Sequence, residues 1–402
     1  MIQIAVLGYG TVGSGVVEVI NTNHSSINKK AGEEINIKYV LDLRDFPGDP
    51  IQEKIVHDFD VILNDPEIKI VVEVMGGVEP AYTFTKKALL AGKSVCTSNK
   101  ELVARHGAEL LEIARERNIN YLFEASCGGG IPIIRPLNSS LTADEIDEIT
   151  GILNGTTNYI LTEMAEKGSD FADVLKEAQN LGYAERNPEA DVEGYDACRK
   201  IAILTSLVAG KTVDFHKIHT EGITGIDPTD FAYAKKLDAT IKLLAVSRET
   251  EDGYQISVAP YLLKKENALA GVNDVFNAVA VCGNTLGDTM FYGRGAGKLP
   301  TASAVVADVV ECARHLQKTV GCLWEEGEAK VADFDNQEGR FFVRVLKKAR
   351  ADVEKVFGAV VPVVLDSALE EFAFVTESMQ EAEFEKCREQ IFGFVKKIRI
   401  KD

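Results

Sequence analysis

Short apolar, β-branched runs alternate with amphipathic stretches over the first third of the chain. Ile2-Gln3-Ile4-Ala5-Val6-Leu7, Ile35-Asn36-Ile37-Lys38-Tyr39-Val40-Leu41, Ile70-Val71-Val72-Glu73-Val74, Ser94-Val95-Cys96-Thr97 and Tyr121-Leu122-Phe123-Glu124 have the composition of such strands. Strands buried on both faces of a parallel sheet read this way. Helices are expected between them: after Gly13, where Val16, Val17, Val19 and Ile20 give an apolar face, and over 80–90 and 108–117. The alternation predicts an α/β layer of the dinucleotide-binding kind.

The pattern breaks at Ala125-Ser126-Cys127-Gly128-Gly129-Gly130-Ile131-Pro132-Ile133-Ile134-Arg135-Pro136. Three glycines and two prolines there suit a sharp turn between domains, and the glycine carbonyls could be aimed at an ion or cofactor. Strands are expected beyond it at 146–153, 254–260, 277–281 and 288–292, with helices near 171–180, 201–209 and 301–318. This is an α+β domain with a mostly antiparallel sheet, whose last helix returns to the first domain. Asn154-Gly155-Thr156-Thr157-Asn158 reads as a turn in which a threonine caps the next helix. At the end, strands at 340–346, 361–365, 371–376 and 396–400 and helices at 349–357 and 380–392 follow the ferredoxin-like order β-α-β-β-α-β. The expected domains are 1–131, 132–325 and 338–402.

Composition narrows the class. At 402 residues with 46% hydrophobic and 26% charged positions, the chain suits a multidomain globular enzyme. A net charge of −18 disfavours nucleic acid and anionic membranes as partners. No apolar run approaches the ~18 residues that span a bilayer, and Met1-Ile2-Gln3-Ile4 has no basic leader, so no signal peptide is expected. Seven cysteines without a C-x-x-C pair point to a reducing cytoplasm.

Three places carry chemistry. Gly8-Tyr9-Gly10-Thr11-Val12-Gly13 lies between the first strand and first helix, the dinucleotide fingerprint in its proper context. The second strand ends at Asp42-Leu43-Arg44. An acid there holds the ribose 2′-hydroxyl of NAD and an arginine accommodates the 2′-phosphate of NADP, so NADP is favoured with NAD as the alternative. Met75-Gly76-Gly77 and Ser98-Asn99-Lys100 close two further strands, where backbone and a lysine would meet the cofactor. Lastly, Glu185, Asp191, Asp196 and Lys200 precede an apolar helix. Asp196 and Lys200 are four apart, on one helical face; the plainer reading of that pair is a surface ion pair worth about 0–1 kcal/mol. His216 and His219 lack a third neighbour and are read as non-metal residues.

Together these motifs resemble the homoserine dehydrogenase family over most of residues 1–325. The resemblance rests on the glycine fingerprint, Ser98-Asn99-Lys100-Glu101-Leu102-Val103, Ser126-Cys127-Gly128-Gly129-Gly130-Ile131-Pro132-Ile133-Ile134 and Gly151-Ile152-Leu153-Asn154-Gly155-Thr156-Thr157-Asn158-Tyr159-Ile160. It rests also on Gly182 through Lys200 and on Gly293-Arg294-Gly295-Ala296-Gly297. It implies NAD(P)H-dependent, reversible reduction of L-aspartate 4-semialdehyde to L-homoserine, on the route to threonine and methionine, by a homodimer or homotetramer. By resemblance Lys200 is the catalytic lysine, Asp196 its partner and Lys100 a lysine between cofactor and substrate. Glu185, Asp191, Asn154, Thr156 and Tyr183 would meet the substrate. The cofactor set is Gly8, Tyr9, Gly10, Thr11, Val12, Gly13, Arg44, Met75, Gly76, Ser98, Lys100 and Gly295. A monovalent cation such as Na+ is implied on backbone oxygens of Cys127, Gly129 and Ile131, with Glu124 beside them. The C-terminal unit looks like a degenerate regulatory ACT domain, because Lys347-Lys348-Ala349-Arg350 stands where an Asp-x-Pro-Gly-Val turn is expected. Two other classes remain: a non-catalytic NAD(P)-binding sensor, and another amino-acid dehydrogenase on the same scaffold.

Overall fold

The five N-terminal apolar runs fold as one parallel sheet in the computed structural model, which describes residues 1–365 and 369–402. A sixth, two-residue strand joins them at the edge. The order is Ile55–Val56, Ile35–Leu41, Ile2–Leu7, Ile68–Glu73, Ser94–Thr97, Tyr121–Leu122, every pair parallel. The first strand sits centrally and the chain winds outward both ways, so the topological switch point falls between Ile2–Leu7 and Ile68–Glu73. Ligands bind beyond the carboxyl ends of strands at such a point.

By chain contacts the protein divides into two units: Met1–Ile146 with Ala202–Phe215 and Cys282–Ala329, and Asp147–Ile201 with His216–Val281 and Lys330–Asp402. The glycine–proline segment 125–136 lies inside the first unit. So does helix Lys298–Arg314, whose Ala302, Val305 and Val309 share a core with Val16, Ile20, Ile4 and Val72. At Gly15 a Cβ would come within 2.8 Å of the Lys298 carbonyl, which is how helix Thr11–Thr22 approaches so closely.

Two expected elements in this unit shift for local reasons. Helix Lys100–Glu116 starts at Lys100 instead of 108, because the Asn99 side chain accepts the Leu102 N–H at 3.1 Å and caps it. The last strand stops at Leu122 short of Glu124. There the Glu124 carboxylate turns to accept the N–H groups of Ile133, Ile134 and Arg135 at 2.6–2.8 Å.

The sheet of the second unit is mixed, with antiparallel pairs joined by a parallel one. Its strands run Phe276–Gly283, Ile146–Ile152, Ala239–Thr250, Gly253–Lys264, Phe394–Lys401, Glu338–Leu346, Glu371–Val375. Ala239–Thr250 and Gly253–Lys264 form a long antiparallel hairpin. Tyr261–Leu263 then pairs in parallel with Arg399–Lys401, which makes the sheet mixed. Strand Ala239–Thr250 was not expected, since Lys242 interrupts its apolar run. That lysine is buried, its ammonium donating to Val272 O, Asn273 Oδ1 and Asn158 Oδ1.

The C-terminal strands enclose their own core of Phe341, Val343, Phe372, Phe374 and Phe384. Residues 361–365, expected as a strand, contribute one bridge, Val363 with Ala373; Val361 is exposed and has no sheet face to fill. Buried Arg344 reaches Asp227, Asp230 and Glu371, and Lys396 reaches the same two aspartates. Asp227 and Asp230 also form the capping box of helix Pro228–Lys236, another element not expected from the sequence.

Candidate active site

In the first unit the site is built from backbone. Gly8 leaves the first strand at φ +96°, a left-handed conformation that side chains disfavour. A Cβ on Gly13 would lie 1.9 Å from the Gly8 carbonyl oxygen, so helix and turn pack only with glycine there. Gly10 faces open space, with nothing within 4 Å of an added Cβ. No side chain caps the helix that begins at Thr11, and its first turn carries no acid. Its N–H groups and positive dipole end are therefore offered to an anion, and a dinucleotide's pyrophosphate fits this cradle.

At the end of the second strand, Asp42 and Arg44 are not alternatives but a pair. Asp42 Oδ2 accepts the Tyr9 amide at 2.8 Å, and the Arg44 guanidinium forks onto both carboxylate oxygens at 3.0 Å. Arg44, aided by the Tyr9 amide, holds the Asp42 carboxyl well below the usual range. Arg44 also lies over the Phe46 ring, against which Tyr9 packs edge-on. Gly76 and Gly77 have left-handed φ values of 85° and 73° just past Ile68–Glu73. Ser98 and Lys100 are half-buried, Lys100 being the first residue of its helix. Gly295 lies against the glycine turn: its carbonyl would be 2.1 Å from a Cβ on Gly129, and the Gly130 N–H donates to Arg294 O at 3.1 Å.

That turn carries the candidate cation oxygens. The Ile131 N–H closes it on Gly128 O at 2.9 Å. The Glu124 carboxylate already accepts three amides, two on Oε1 and one on Oε2, which leaves one lone-pair site on Oε2 beside its backbone oxygen. Glu124 N–H donates to buried Asp308, which also binds Arg135 at 2.5 Å. Burial, then the Glu124 charge, push the Asp308 carboxyl up to about 8 against the pull of Arg135. Among the described residues no three His, Cys, Asp or Glu side chains cluster as a metal site. His219 instead pairs with Glu221 at 2.6 Å and stacks on Phe334.

In the second unit the site is built from side chains. Helix Tyr195–Ala209 begins early enough to carry both Asp196 and Lys200, one turn apart. Lys200 is only 8% exposed and Asp196 3%, so this is no surface pair. The Lys200 ammonium donates to Asp196 Oδ2 at 2.6 Å and to the Leu153 carbonyl at 2.7 Å. Asn154 joins them. Its Oδ1 accepts the Thr157 amide, so Asn154 rather than a threonine caps helix Gly155–Lys167. Its Nδ2 donates to Asp191 Oδ1 at 2.7 Å and Asp196 Oδ2 at 3.0 Å. Strand end, helix cap and second helix thus meet on one lysine. Burying two charges costs several kcal/mol each before their attraction returns it, an arrangement common where chemistry needs it.

Around this cluster, Thr156 Oγ1 donates to Tyr183 O at 2.7 Å, and the exposed Tyr183 ring packs edge-on to Tyr159. Glu185 is exposed, its backbone oxygen accepting from Gln179; its carboxylate is not joined to the Asn154 network. Sequence reading missed Leu153, which acts through a backbone carbonyl and leaves no side-chain signal. It also missed Glu73, Thr97 and Asn99, although a glutamate inside an apolar strand was visible.

Known proteins match this chain in sequence and fold. The family model described as homoserine dehydrogenase matches residues 132–310, and that described as homoserine dehydrogenase, NAD binding domain, matches residues 8–124. Homoserine dehydrogenase of Synechocystis sp. is 39% identical over 420 residues, covering 97% of this chain and 96% of its own. The crystal structure of a homoserine dehydrogenase from Thiobacillus denitrificans aligns at TM-score 0.92 and 34% identity, covering 100% of this chain and 98% of that one. A hyperthermophilic archaeal homoserine dehydrogenase in complex with NADPH aligns at TM-score 0.67 and 29% identity, over 77% of this chain and 97% of that one.

Proposed function

The chain belongs to the homoserine dehydrogenase family, and from that premise we propose how its residues divide the work. The enzyme is an NAD(P)-dependent oxidoreductase of amino-acid biosynthesis, interconverting L-aspartate 4-semialdehyde and L-homoserine. The bound nicotinamide supplies the hydride in one direction and accepts it in the other. The chain must supply a proton at the carbonyl oxygen and fixed polarity around it.

Lys200 is the proton donor, and its charge stabilises the developing alkoxide. Asp196 and the Leu153 carbonyl aim the ammonium, and Asn154 holds Asp196 and Asp191 in register. The substrate's ammonium suits Asp191 and Glu185, and its carboxylate suits Lys100, with Thr156 and Tyr183 adding polar contacts. The observation that carries this reading is Lys200, buried between a carbonyl and a carboxylate. The test is absorbance of NAD(P)H with aspartate semialdehyde, wild type beside Lys200→Met. A variant with unchanged kcat would sink the assignment.

Gly8, Tyr9, Gly10, Thr11, Val12 and Gly13 cradle the pyrophosphate, with Met75, Gly76, Ser98, Lys100 and Gly295 nearer the nicotinamide. NADP remains favoured and NAD the alternative: the Arg44 guanidinium suits a 2′-phosphate, which would have to displace Asp42 from it. Backbone oxygens of Cys127, Gly129, Ile131 and Glu124 suit a hard monovalent cation such as Na+ better than a soft metal. Residues 338–402 are read as a degenerate ACT-like unit. The antiparallel order Phe394–Lys401, Glu338–Leu346, Glu371–Val375 supports this, with the Val363 bridge beyond. Seven free cysteines suit a reducing cytoplasm, and no helix among the described residues is long and apolar enough to cross a membrane. A homodimer or homotetramer is the expected assembly, which sedimentation would decide.

A further inference from the structure

Glu73 ends the strand Ile68–Glu73 and is completely buried. A carboxylate in that position is costly unless its oxygens are used. Both are used. Oε1 accepts the Met75 N–H at 2.8 Å, and Oε2 accepts the Thr97 hydroxyl at 2.6 Å. Thr97 ends the neighbouring strand, and its hydroxyl in turn accepts the Asn99 N–H at 2.9 Å. The Asn99 side chain then reaches back, donating to Gly77 O at 2.6 Å, while its oxygen caps the helix that begins at Lys100.

These bonds close a ring running through Glu73, Met75, Gly77, Asn99 and Thr97. It ties together the two loops at the carboxyl ends of adjacent parallel strands, 74–77 and 98–100. Those loops hold Gly76 and Gly77 in left-handed conformations and start the helix that presents Lys100. Burial pushes the Glu73 carboxyl up, and the Thr97 and Met75 hydrogen bonds pull it back. Only the carboxylate accepts from both partners with no donor of its own.

We propose that Glu73 is a positioning residue for cofactor binding: through Thr97 and Asn99 it locks the 74–77 and 98–100 loops in the geometry that receives the nicotinamide half. The inference rests on the reading that Met75, Gly76, Ser98 and Lys100 line that part of the crevice. An ordinary core residue would hold the fold without setting cofactor affinity. This one sets affinity, because the groups it fixes are the strand-end backbone and the start of the Lys100 helix.

The test is NADPH fluorescence titration of the full-length protein, with KM for both substrates and thermal melting alongside. Glu73→Gln keeps the shape and removes the charge. It should raise the NADPH Kd and cofactor KM about tenfold, the scale of one charge-assisted hydrogen bond. The KM for aspartate semialdehyde should rise clearly less than the cofactor KM, since of that site's side chains only Lys100 starts from a loop the ring holds. Thr97→Val should reproduce the effect and Thr97→Ser restore binding, and the Glu73→Gln/Thr97→Val double variant should be no worse than the worse single one. If Glu73→Gln does not fold, the Thr97 pair decides. Lowered melting temperature with unchanged Kd in these variants overturns the proposal. Ser98→Ala separates the two readings: if it weakens NADPH binding and the ring variants do not, the crevice reading stands and the Glu73 role falls. If Ser98→Ala and the ring variants all leave Kd unchanged, both fall.

Discussion

The candidate sites of the two units, each taken by itself, are made of different material. The nucleotide half is mostly backbone: glycine turns, an uncapped helix start and strand ends, where a side chain would be in the way. The candidate substrate half is mostly side chains gathered from two helix starts and the short helix Glu189–Val192, and held by an asparagine. Backbone sites are general, since every dinucleotide has a pyrophosphate. Side-chain sites are particular, since an ammonium, a carboxylate and one carbonyl need distinct partners. The same difference governs how each half fails.

The largest expected effect is in the side-chain half. Lys200→Met should lower kcat by about 10²–10⁴-fold, the range for losing a general acid, while leaving the NADPH Kd near wild type. A matching loss of cofactor affinity would break the comparison. In the backbone half, Gly13→Ala places a methyl 1.9 Å from Gly8 O. The relief of that clash should cost about 1–3 kcal/mol and appear as weaker NADPH binding in titration, with any protein that still binds cofactor turning over normally.

A second buried lysine sharpens the point. Lys242 is held by carbonyl and amide oxygens, and burial pushes its pKa down to about 8. Below pH 8 both folded and unfolded states carry the proton, and the folded state bears the burial cost. Between about pH 8 and 10.4 the unfolded state holds the proton and the folded state does not, so stability rises with pH through this group. Denaturant melts of wild type against Lys242→Met should show that relative gain, about 1–3 kcal/mol across the window. A parallel pair of curves would mean Lys242 titrates normally. Burial of a lysine, then, does not make a site; Lys200 differs by its carboxylate and its neighbours.

The smallest effect is at the boundary of the two kinds of construction. Arg44→Ala frees Asp42 from its partner and removes the fork a 2′-phosphate would use. The NADPH to NADH ratio of kcat/KM should fall about tenfold; an unchanged ratio would leave the 2′ position unread by Arg44.

Much of the nucleotide half was legible in the sequence. Ile2–Leu7 followed by Gly8, Gly10 and Gly13 states its geometry locally, because Gly8 takes a positive φ and Gly13 lies against the Gly8 carbonyl. Asp196 and Lys200 were legible as a helical pair for the same reason. Their burial was not, nor was Asn154 as cap and clamp, since Asp191 and Asp196 reach it from 37 and 42 positions away. Strand Ala239–Thr250 carries Lys242 within its apolar run, and only that lysine's distant acceptors make it a core residue. The parallel pairing of Tyr261–Leu263 with Arg399–Lys401 joins segments far apart in sequence, and no local pattern encodes it.

By itself, then, the sequence determined the elements whose reasons are local: apolar runs, glycine turns, charges one helical turn apart, and the family motifs built from them. Tertiary structure decided which charges are buried, which oxygens receive them and how strands pair. Those outcomes depend on desolvation and hydrogen-bond partners supplied by distant parts of the chain, and these exist only after it has folded.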